Sequence, residues 1–204
     1  LAGARQSEVV AEWQGLGYNR RALMLREAAR QVVSRGGFPR TPEHLRQLPG
    51  IGPACAGAVA AFAFGHPAVF IETNIRRVFI HIFFPEGSVV EDRLIMPLVE
   101  RTLDRKDVRG WYYGLMDLGA FLKKKVPNPN RRSTHYSRQP VFEGSFRQVR
   151  SRVLRLLLKH PVLTAEEAAC RLGTEASRVR RAFVSLETDG FVEADGSGWR
   201  LKDG

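Results

Sequence analysis

The sequence predicts a mainly α-helical protein with a large N-terminal domain, a basic arm and a small C-terminal domain. Three observations lead to this prediction. Apolar residues recur at helical spacing along most of the 204 residues, a short glycine-rich turn separates two of the helical stretches, and the end of the chain changes to alternating runs. Hydrophobic residues make up 44% of the chain and charged residues 26%, as in ordinary globular proteins. This composition excludes collagen, a largely disordered chain and a disulfide scaffold.

The N-terminal domain, residues 1–122, is predicted to consist of short helices separated by tight turns. Capping residues indicate where the first three helices begin, at Ser7, Asn19 and Thr41, the last of which is followed by a proline that suits the first helical position. The next helix is expected at Pro53–Phe64. A strand-like run at residues 68–71 precedes Glu72, and further helices follow it. Their expected positions are residues 75–84, about 90–103 and about 108–122.

The net charge of +11 is concentrated in one stretch of the chain. Residues 123–155 carry ten basic side chains and one acidic side chain, whereas the regions before and after are nearly balanced. Residues 123–145 also contain proline, asparagine and serine without helical periodicity, which predicts an extended arm or linker. A solvated charged surface is one explanation, but a run of one sign favours a polyanionic partner.

The C-terminal domain, residues 146–204, shows three helical patterns followed by two alternating runs around a Gly-Ser-Gly turn. Three helices and a β-hairpin predict a winged helix-turn-helix, in which the third helix reads DNA through Arg178 and Arg181. The alternative is a helical packing module, because residues 156–204 carry seven basic and eight acidic side chains.

The segment LPGIG, residues 48–52, lies between two predicted helices. Gly50 and Gly52 allow the main chain to approach a ligand closely because glycine has no Cβ, and the N–H groups at the start of the next helix favour an anion. The pattern predicts a helix-hairpin-helix clamp for a DNA phosphate. A plain glycine turn between two helices is the alternative.

Four motifs in order extend this pattern: GLGY at 15–18, LPGIG at 48–52, IETNIRRV at 71–78 and LMDLGA at 115–120. With these motifs the chain resembles, over residues 8–122, the helix-hairpin-helix DNA glycosylases, specifically their adenine-mismatch branch. The resemblance implies an all-α, two-lobed domain that takes up a nucleotide flipped out of duplex DNA. It also implies hydrolysis of the bond between the base and the sugar.

The resemblance assigns the catalytic carboxylate to Glu72. A fixed carboxylate near the sugar stabilises the positive charge that develops as the base leaves. The family normally has aspartate at this position, so the longer glutamate implies either a pocket rebuilt for it or weak activity. The alternative role of Glu72 is a favourable interaction with the N-terminus of the helix that follows it.

Other residues take roles that the same resemblance implies. Tyr18 matches the tyrosine that wedges beside the lesion pair, and Asn74 matches the residue that positions the flipped nucleotide. The alternative role of Tyr18 is that of a buried aromatic residue, and the alternative role of Asn74 is that of a helix cap. Asp117 is expected to be a buried anchor behind the site. Ala54 stands where strand-nicking members carry a lysine, which implies hydrolysis without strand cleavage.

The expected partner is double-stranded DNA with a mispaired or damaged base, bound by a monomer. Contacts are expected from the GLGY turn, the hairpin, the start of the helix after Glu72, the basic arm and the third C-terminal helix. The residues are Tyr18, Arg21, Leu48, Gly50, Ile51, Gly52, Asn74, Lys123, Lys124, Arg131, Arg132, Arg178 and Arg181.

No metal site is expected. The four-cysteine iron–sulfur signature that commonly follows the LMDLGA helix in the family is replaced by KKKVPNPNRRS, and the chain has two cysteines in all, Cys55 and Cys170. The main chain of the hairpin is expected to offer a site for a monovalent cation.

The location and extent of the protein are also expectations at this point. Neither a membrane span nor a secretory signal is evident, so we expect a cytoplasmic protein associated with the nucleoid. The family's helices before GLGY, which include the glutamate that protonates the leaving base, are not matched. The sequence is therefore expected to be an N-terminally incomplete glycosylase.

Two functions are compatible with these patterns. The first is a monofunctional DNA glycosylase of base-excision repair, with adenine in a mispair as the implied base. Thymine, uracil or an alkylated base stays open, because the C-terminal domain of standard members is replaced here. The second is a non-catalytic DNA-binding or regulatory protein that uses the hairpin and the winged helix.

Overall fold

The computed structural model describes residues 1–196 and 198–203. These residues form ten α-helices, one short 3-10 helix and two β-strands, so the prediction of a mainly α-helical protein is confirmed. In chain order the elements are α1 (Gln6–Glu12), α2 (Arg20–Ser34), α3 (Pro42–Leu45), α4 (Pro53–Phe64), α5 (Thr73–Phe83), α6 (Asp92–Thr102), α7 (Val108–Lys125), the 3-10 helix (Pro129–Arg132), α8 (Phe146–Leu157), α9 (Ala165–Leu172), α10 (Ala176–Thr188), β1 (Val192–Asp195) and β2 (Gly198–Leu201). Within the described part of the chain, no helix has the length and apolar character needed to cross a membrane.

The chain divides into two compact units. The central unit is Gly37–Arg138, and the discontinuous unit combines Leu1–Gly36 with the residues from Gln139 onward. These units do not follow the predicted boundaries of 1–122, 123–145 and 146–204. The predicted domains are continuous in sequence, whereas the discontinuous unit is built from contacts between the two ends of the chain.

The core of the central unit lies between α5 and α7. Ile75 and Phe79 of α5 and Tyr112 of α7 are buried there. The Tyr112 ring stacks on Phe70 with 4.3 Å between ring centroids, and its hydroxyl donates a hydrogen bond of 2.7 Å to the Ala68 carbonyl. Burial raises the pKa of this hydroxyl to about 12. The aromatic pair therefore holds the chain before α5 against α7.

The run at residues 68–71, predicted to be strand-like, forms no strand and pairs with no other segment of the described chain. Its apolar side chains instead fill the space between helices. Phe70 packs so closely on Gly57 of α4 that a Cβ on that glycine would lie 2.7 Å from the Phe70 Cβ. Packing on α4 and α7 thus fixes the point at which α5 begins.

Part of the predicted basic arm is folded into the central unit. The main chain of Val90 donates to the Arg132 carbonyl at 2.9 Å and accepts from Thr134 at 3.1 Å. The side chain of Asn130 is buried and donates to the Thr73 carbonyl at 2.9 Å. The prediction of an extended arm is therefore wrong for this segment, because its partners lie on α5 and before α6, far away in sequence.

The C-terminal part of the discontinuous unit contains three helices, α8 to α10, followed by the antiparallel pair of β1 and β2. Leu163 and Trp199 exchange two main-chain hydrogen bonds of 3.0 Å, which attach the hairpin to the segment before α9. The Trp199 ring stacks on Phe183 of α10 at 4.6 Å. The order of elements is the predicted one, while residue 197 of the hairpin turn lies outside the described residues and the winged-helix assignment stays a prediction.

The N-terminal helices α1 and α2 belong to the same hydrophobic core. Val10 of α1 is buried in a cluster with Val153 of α8 and Phe183 of α10. The Gln6 side chain donates to the Gly190 carbonyl at 2.8 Å. The two ends of the chain therefore form one unit, in which α1 covers apolar side chains of the C-terminal helices.

We expect the substitution Gly119→Ala to destabilise the protein, although alanine favours a helix. The new Cβ would lie 2.6 Å from both the Cβ and the carbonyl oxygen of Asn74, so α7 would have to move away from α5. Overpacking of this kind typically costs about 1–3 kcal/mol. Urea unfolding measures the change in the free energy of unfolding.

The matched control is Gly114→Ala on the same helix, where no atom lies within 4 Å of the new Cβ. This variant should be neutral or more stable by up to about 1 kcal/mol. Equal unfolding free energies for the two variants would contradict the close contact between α5 and α7.

Candidate active site

The hairpin at residues 48–52 joins α3 to α4. Gly50 adopts a φ of 77°, which is in the left-handed region that favours glycine, and the main chain of Ile51 donates to the Leu48 carbonyl at 3.2 Å. Gly50 and Gly52 are exposed, and a Cβ on Gly52 would meet no atom within 4 Å. The Leu48 side chain is buried, and its main chain is already bonded, with the N–H donating to the Leu45 carbonyl and the carbonyl accepting from Ile51. The main-chain contacts predicted for this hairpin are therefore left to Gly50 and Gly52, beside the half-buried Ile51 side chain.

Glu72 is the N-cap residue of α5. Its Oε1 accepts main-chain hydrogen bonds from Asn74 at 2.6 Å and from Ile75 at 2.9 Å. Its Oε2 accepts a longer bond of 3.4 Å from the Asn74 side chain. The helix therefore holds the carboxylate in one position, with Oε1 used by the cap and Oε2 less fully occupied.

Asn74 links this cap to the neighbouring helix. Its Oδ1 accepts a hydrogen bond of 2.7 Å from Arg77, which is buried and also donates to the Gly119 carbonyl of α7 at 2.7 Å. Glu72 and Asn74, which sequence reasoning placed in one site, are thus in direct contact. Glu72 also plays the structural role that was named as its alternative, because it caps the helix that follows it.

A polar pocket of about 200 Å³ opens beside the first turn of α5, starting at the residue after Glu72. Two of its lining residues carry buried polar atoms without a hydrogen-bond partner in the described chain, Nε of Arg77 and Oδ1 of Asn130. The lining residues are Thr73, Arg76, Arg77, Asn128, Asn130, Ser133, His135, Tyr136 and Ser137. Sequence reasoning missed this pocket, because it treated residues 126–137 as a linker.

Two lining residues of this pocket, Arg76 and His135, lie against the carboxylate of Asp92. Arg76 donates two hydrogen bonds to Asp92, at 2.7 and 2.6 Å, and His135 lies 3.6 Å from the same carboxylate. The bonds from Arg76 hold the pKa of Asp92 below its ordinary value. The IETNIRRV motif contained Arg76, but nothing local in the sequence pointed to Asp92 as its partner.

Two other predicted residues of the central unit take positions that differ from the prediction. Asp117 is exposed, so the expectation of a buried anchor is wrong. Arg132 points inward and donates to the carbonyls of Ile80 and Phe84 and to Pro85, which removes it from the predicted phosphate contacts. These carbonyls belong to the end of α5 and the turn after it, where main-chain acceptors lack helical partners.

The basic residues at the end of α7 are exposed, but they lie on the helix, which continues to Lys125, and not in an arm beginning at Lys123 as predicted. Lys123 and Lys124 lie in its last turn, and Arg131 is exposed in the 3-10 helix. Basic side chains at a helix C-terminus also interact favourably with the helix dipole. Their exposure leaves them accessible to a ligand.

The remaining predicted contacts lie in the discontinuous unit. Tyr18 is 65% exposed with a φ of 50°, and Gln139 donates to its hydroxyl. Arg21 lies over the Trp13 ring at 5.3 Å. Arg178 donates to the Gly144 carbonyl at 2.9 Å, and Arg181 lies over the Phe146 ring at 4.6 Å. The last two side chains are thus engaged with the segment before α8 and its first residue.

The described residues contain no group of three or more His, Cys, Asp or Glu side chains able to hold a metal ion. An iron–sulfur cluster needs four thiolates, whereas the chain has two cysteines, Cys55 in the central unit and Cys170 in the discontinuous unit.

Comparison with known proteins places the chain near one group of enzymes. It is 37% identical over 127 residues to the human adenine DNA glycosylase, a match that covers 59% of this chain and 23% of the human protein. It is 30% identical over 217 residues to the adenine DNA glycosylase of Mycolicibacterium smegmatis, a match that covers 97% of this chain and 74% of that protein. The chain thus spans about a quarter of the length of the human relative and three quarters of the bacterial one.

A solved structure of a thermostable thymine-DNA glycosylase matches 57% of this chain and 56% of its own, with 28% identity and a TM-score of 0.48. No protein-family model matches the chain.

We expect Asp92→Asn to lower stability at pH 7 by roughly 1 kcal/mol, because the charged acceptor of Arg76 is lost in a pair that is partly exposed. The folded pKa of Asp92 is lower than the unfolded value of about 3.9, so its contribution is present above that value and disappears as the pH falls through the folded pKa. The stability difference between the variant and the natural protein should therefore shrink below about pH 4.

Unfolding by urea at several pH values measures this difference. Asp117→Asn is the matched control, since Asp117 is an exposed aspartate of the same unit. A difference at Asp92 that stays constant between pH 7 and pH 3 would show that the Arg76 pair does not contribute to stability as described.

Proposed function

The chain belongs to the adenine DNA glycosylase family, and on that premise we propose that the protein hydrolyses the bond between a mispaired adenine and its deoxyribose in duplex DNA. The observation that carries the proposal is the position of Glu72, whose carboxylate is fixed at the start of α5, the helix whose first turn lines a polar pocket from Thr73 onward. The reaction needs a fixed negative charge beside the sugar, since the transition state resembles an oxocarbenium ion.

In this proposal the two carboxylate oxygens of Glu72 have different roles. Oε1 accepts the two main-chain bonds that cap α5, so it holds the side chain in position. Oε2, at 3.4 Å from the Asn74 amide, is the oxygen that faces the developing charge or the attacking water. The helix cap thereby orients the catalytic carboxylate without the cost of reorganisation during the reaction.

The pocket beside Glu72 suits the sugar–phosphate part of the nucleotide. It offers a hydroxyl from Thr73, the guanidinium of Arg77, whose two acceptors are uncharged, and side chains of the segment 128–137. The charge of Arg76 is already partly neutralised by Asp92. A phosphate accepts several hydrogen bonds and prefers guanidinium donors. We infer that contacts here hold the strand while the base leaves.

The hairpin is proposed to bind the phosphate chain of the same DNA. Exposed main chain at Gly50 and Gly52 directly precedes the N-terminus of α4, where N–H groups point outward. Ala54 is exposed in the first turn of that helix and offers no amine for a covalent intermediate. The proposed product is therefore an abasic site in an intact strand.

A non-catalytic DNA-binding protein is the second candidate, and one observation favours it. Glu72 already has a complete structural role as the cap of α5, as the alternative interpretation of the sequence required. Stability and chemistry must therefore be measured separately at this residue.

We expect Glu72→Gln to lower the single-turnover rate of base release by about 100-fold or more, an increase in barrier of roughly 2.7 kcal/mol or more. Glutamine keeps the shape and a capping oxygen but removes the charge. The assay uses the purified protein and a duplex with a mispaired adenine, and it detects the abasic product after alkali.

The control is Asp107→Asn, which makes the same change at another N-cap carboxylate of the central unit, one that accepts from the main chain of Gly110 at 2.9 Å. Both variants should lose up to about 1 kcal/mol of stability, but only Glu72→Gln should slow base release. If neither variant alters the rate, Glu72 is a structural cap and the enzymatic proposal fails.

Cysteine alkylation tests the hairpin without any substitution. Cys55 is exposed in the first turn of α4, and Cys170 is exposed on α9. Duplex DNA bound at the hairpin should slow the alkylation of Cys55 several-fold at low salt, while Cys170 serves as the internal control. Mass spectrometry of the two peptides gives both rates, and equal rates for Cys55 with and without DNA would exclude this hairpin as the clamp.

A further inference from the structure

A cleft of about 1160 Å³ opens within the discontinuous unit, between the start of α2 and one side of α8. Residues 139–142 complete its edge. Sites for small molecules usually measure roughly 300–1,000 Å³, so this cleft is large for a single small ligand. Its residues on α8 take no part in the active site proposed above.

The lining of the cleft is strongly basic. Asp189 is the acidic residue among the described lining residues, and six arginines share the surface with it. Arg20 lies 3.7 Å from Asp189, and Arg150 donates to the same carboxylate. The four other arginines have no carboxylate partner in the lining. They are Arg21, Arg147, Arg152 and Arg155.

Main-chain carbonyls hold two of these arginines. Arg147 donates to the Pro140 carbonyl at 2.7 Å, and Arg152 donates to the Leu172 carbonyl at 3.0 Å. A carbonyl orients a guanidinium but does not neutralise its charge. Arg155 forms no hydrogen bond or ion pair with the residues that the structure describes. The side of α8 that lines the cleft therefore carries charge available to an anion.

Aromatic rings accompany these charges. Tyr18 and Phe142 line the cleft and are 65% and 52% exposed. Arg147 lies over the Phe142 ring at 5.9 Å. Exposed rings beside guanidinium groups are the combination on which unpaired bases stack while their phosphates are neutralised.

The chemistry of the lining favours an unpaired strand. In a duplex the faces of the bases are covered by stacking on their neighbours, whereas an unpaired strand exposes them to aromatic side chains. Exposed rings beside guanidinium groups without carboxylate partners therefore match bases that have left the stack.

We propose that this cleft binds a short unpaired stretch of DNA through Arg147, Arg152 and Arg155 of α8 and through stacking on Tyr18 and Phe142. The proposal rests on the proposed function, because a protein that flips a nucleotide out of duplex DNA acts on a base that has lost its pair and its stacking. The cleft recognises phosphates and base faces, so no particular base sequence is required.

The test measures binding of a fluorescein-labelled 12-nucleotide oligo-dT to the purified protein by anisotropy at several salt concentrations. Arg152→Gln combined with Arg155→Gln should weaken binding by roughly tenfold at low salt and reduce the slope of log K against log salt by about 1.4, or 0.7 per lost phosphate contact. The control combines Lys159→Gln with Arg171→Gln, two exposed cations of the same unit outside the cleft lining, and should leave the slope unchanged.

A second variant covers the case in which the double substitution destabilises the unit. Phe142→Ala removes an exposed ring and no charge, so the protein should stay folded. Loss of one stacked base is expected to weaken oligo-dT binding by roughly tenfold while the salt slope stays the same. If both cleft variants bind oligo-dT with the affinity and the salt slope of the natural protein, the proposal is overturned.

Two further measurements identify the occupant and separate this proposal from the proposed function. The affinities of the natural protein and of the cleft variants are also measured for a paired duplex and for an oligo-U RNA. If the cleft substitutions weaken binding of either one as much as binding of oligo-dT, the assignment to unpaired DNA is overturned. Base release from mispaired duplex is measured on the same preparations. Absence of base release in the natural protein refutes the proposed function, whereas oligo-dT binding that depends on the cleft residues still supports this inference.

Discussion

The buried guanidinium of Arg77 connects the two helices on which the candidate site depends. It donates to the Gly119 carbonyl of α7 and to Oδ1 of Asn74 at the start of α5, both at 2.7 Å. A buried cation is costly unless it is hydrogen-bonded, so α7 must stay close enough for its main chain to serve as an acceptor. Glycine at 119 permits this approach because a Cβ would collide with Asn74. The first turn of α5, and with it Glu72, is positioned by this contact.

Glu72 has a longer side chain than aspartate, and the conformation of this side chain could not be predicted from its length alone. Simple extension would carry the carboxylate farther from the main chain, but the side chain instead folds back over its own helix and caps two N–H groups. The extra methylene is used by this fold-back conformation. A glutamate can therefore keep a carboxylate close to the start of the helix, where aspartate would reach it with a shorter chain. The cost is that one of its oxygens is committed to the cap.

Local signals in the sequence predicted most helix starts, but Ser7, expected to cap α1, lies inside that helix, whose N-cap is Arg5. Non-local contacts explain what the sequence missed elsewhere. Proline at 53 predicted the start of α4, and Thr164 with Glu167 forms the capping box that begins α9. The candidate carboxylate and the hairpin were found through motifs. The pocket beside them was not, because Asn130 reaches Thr73 across 57 positions of sequence and such a contact leaves no local pattern.

A count of basic residues cannot distinguish structural charges from charges available to a ligand. Among the ten basic residues of 123–155, Arg132 is used by main-chain carbonyls and Arg150 by Asp189, whereas Arg155 has no such partner. A guanidinium already paired with a carboxylate releases fewer counterions when a phosphate approaches, because its charge is partly neutralised. The affinity for a polyanion must therefore reside in a subset of this stretch. The structure distributes that subset over both units: exposed lysines at the end of α7 in one, and α8 in the other.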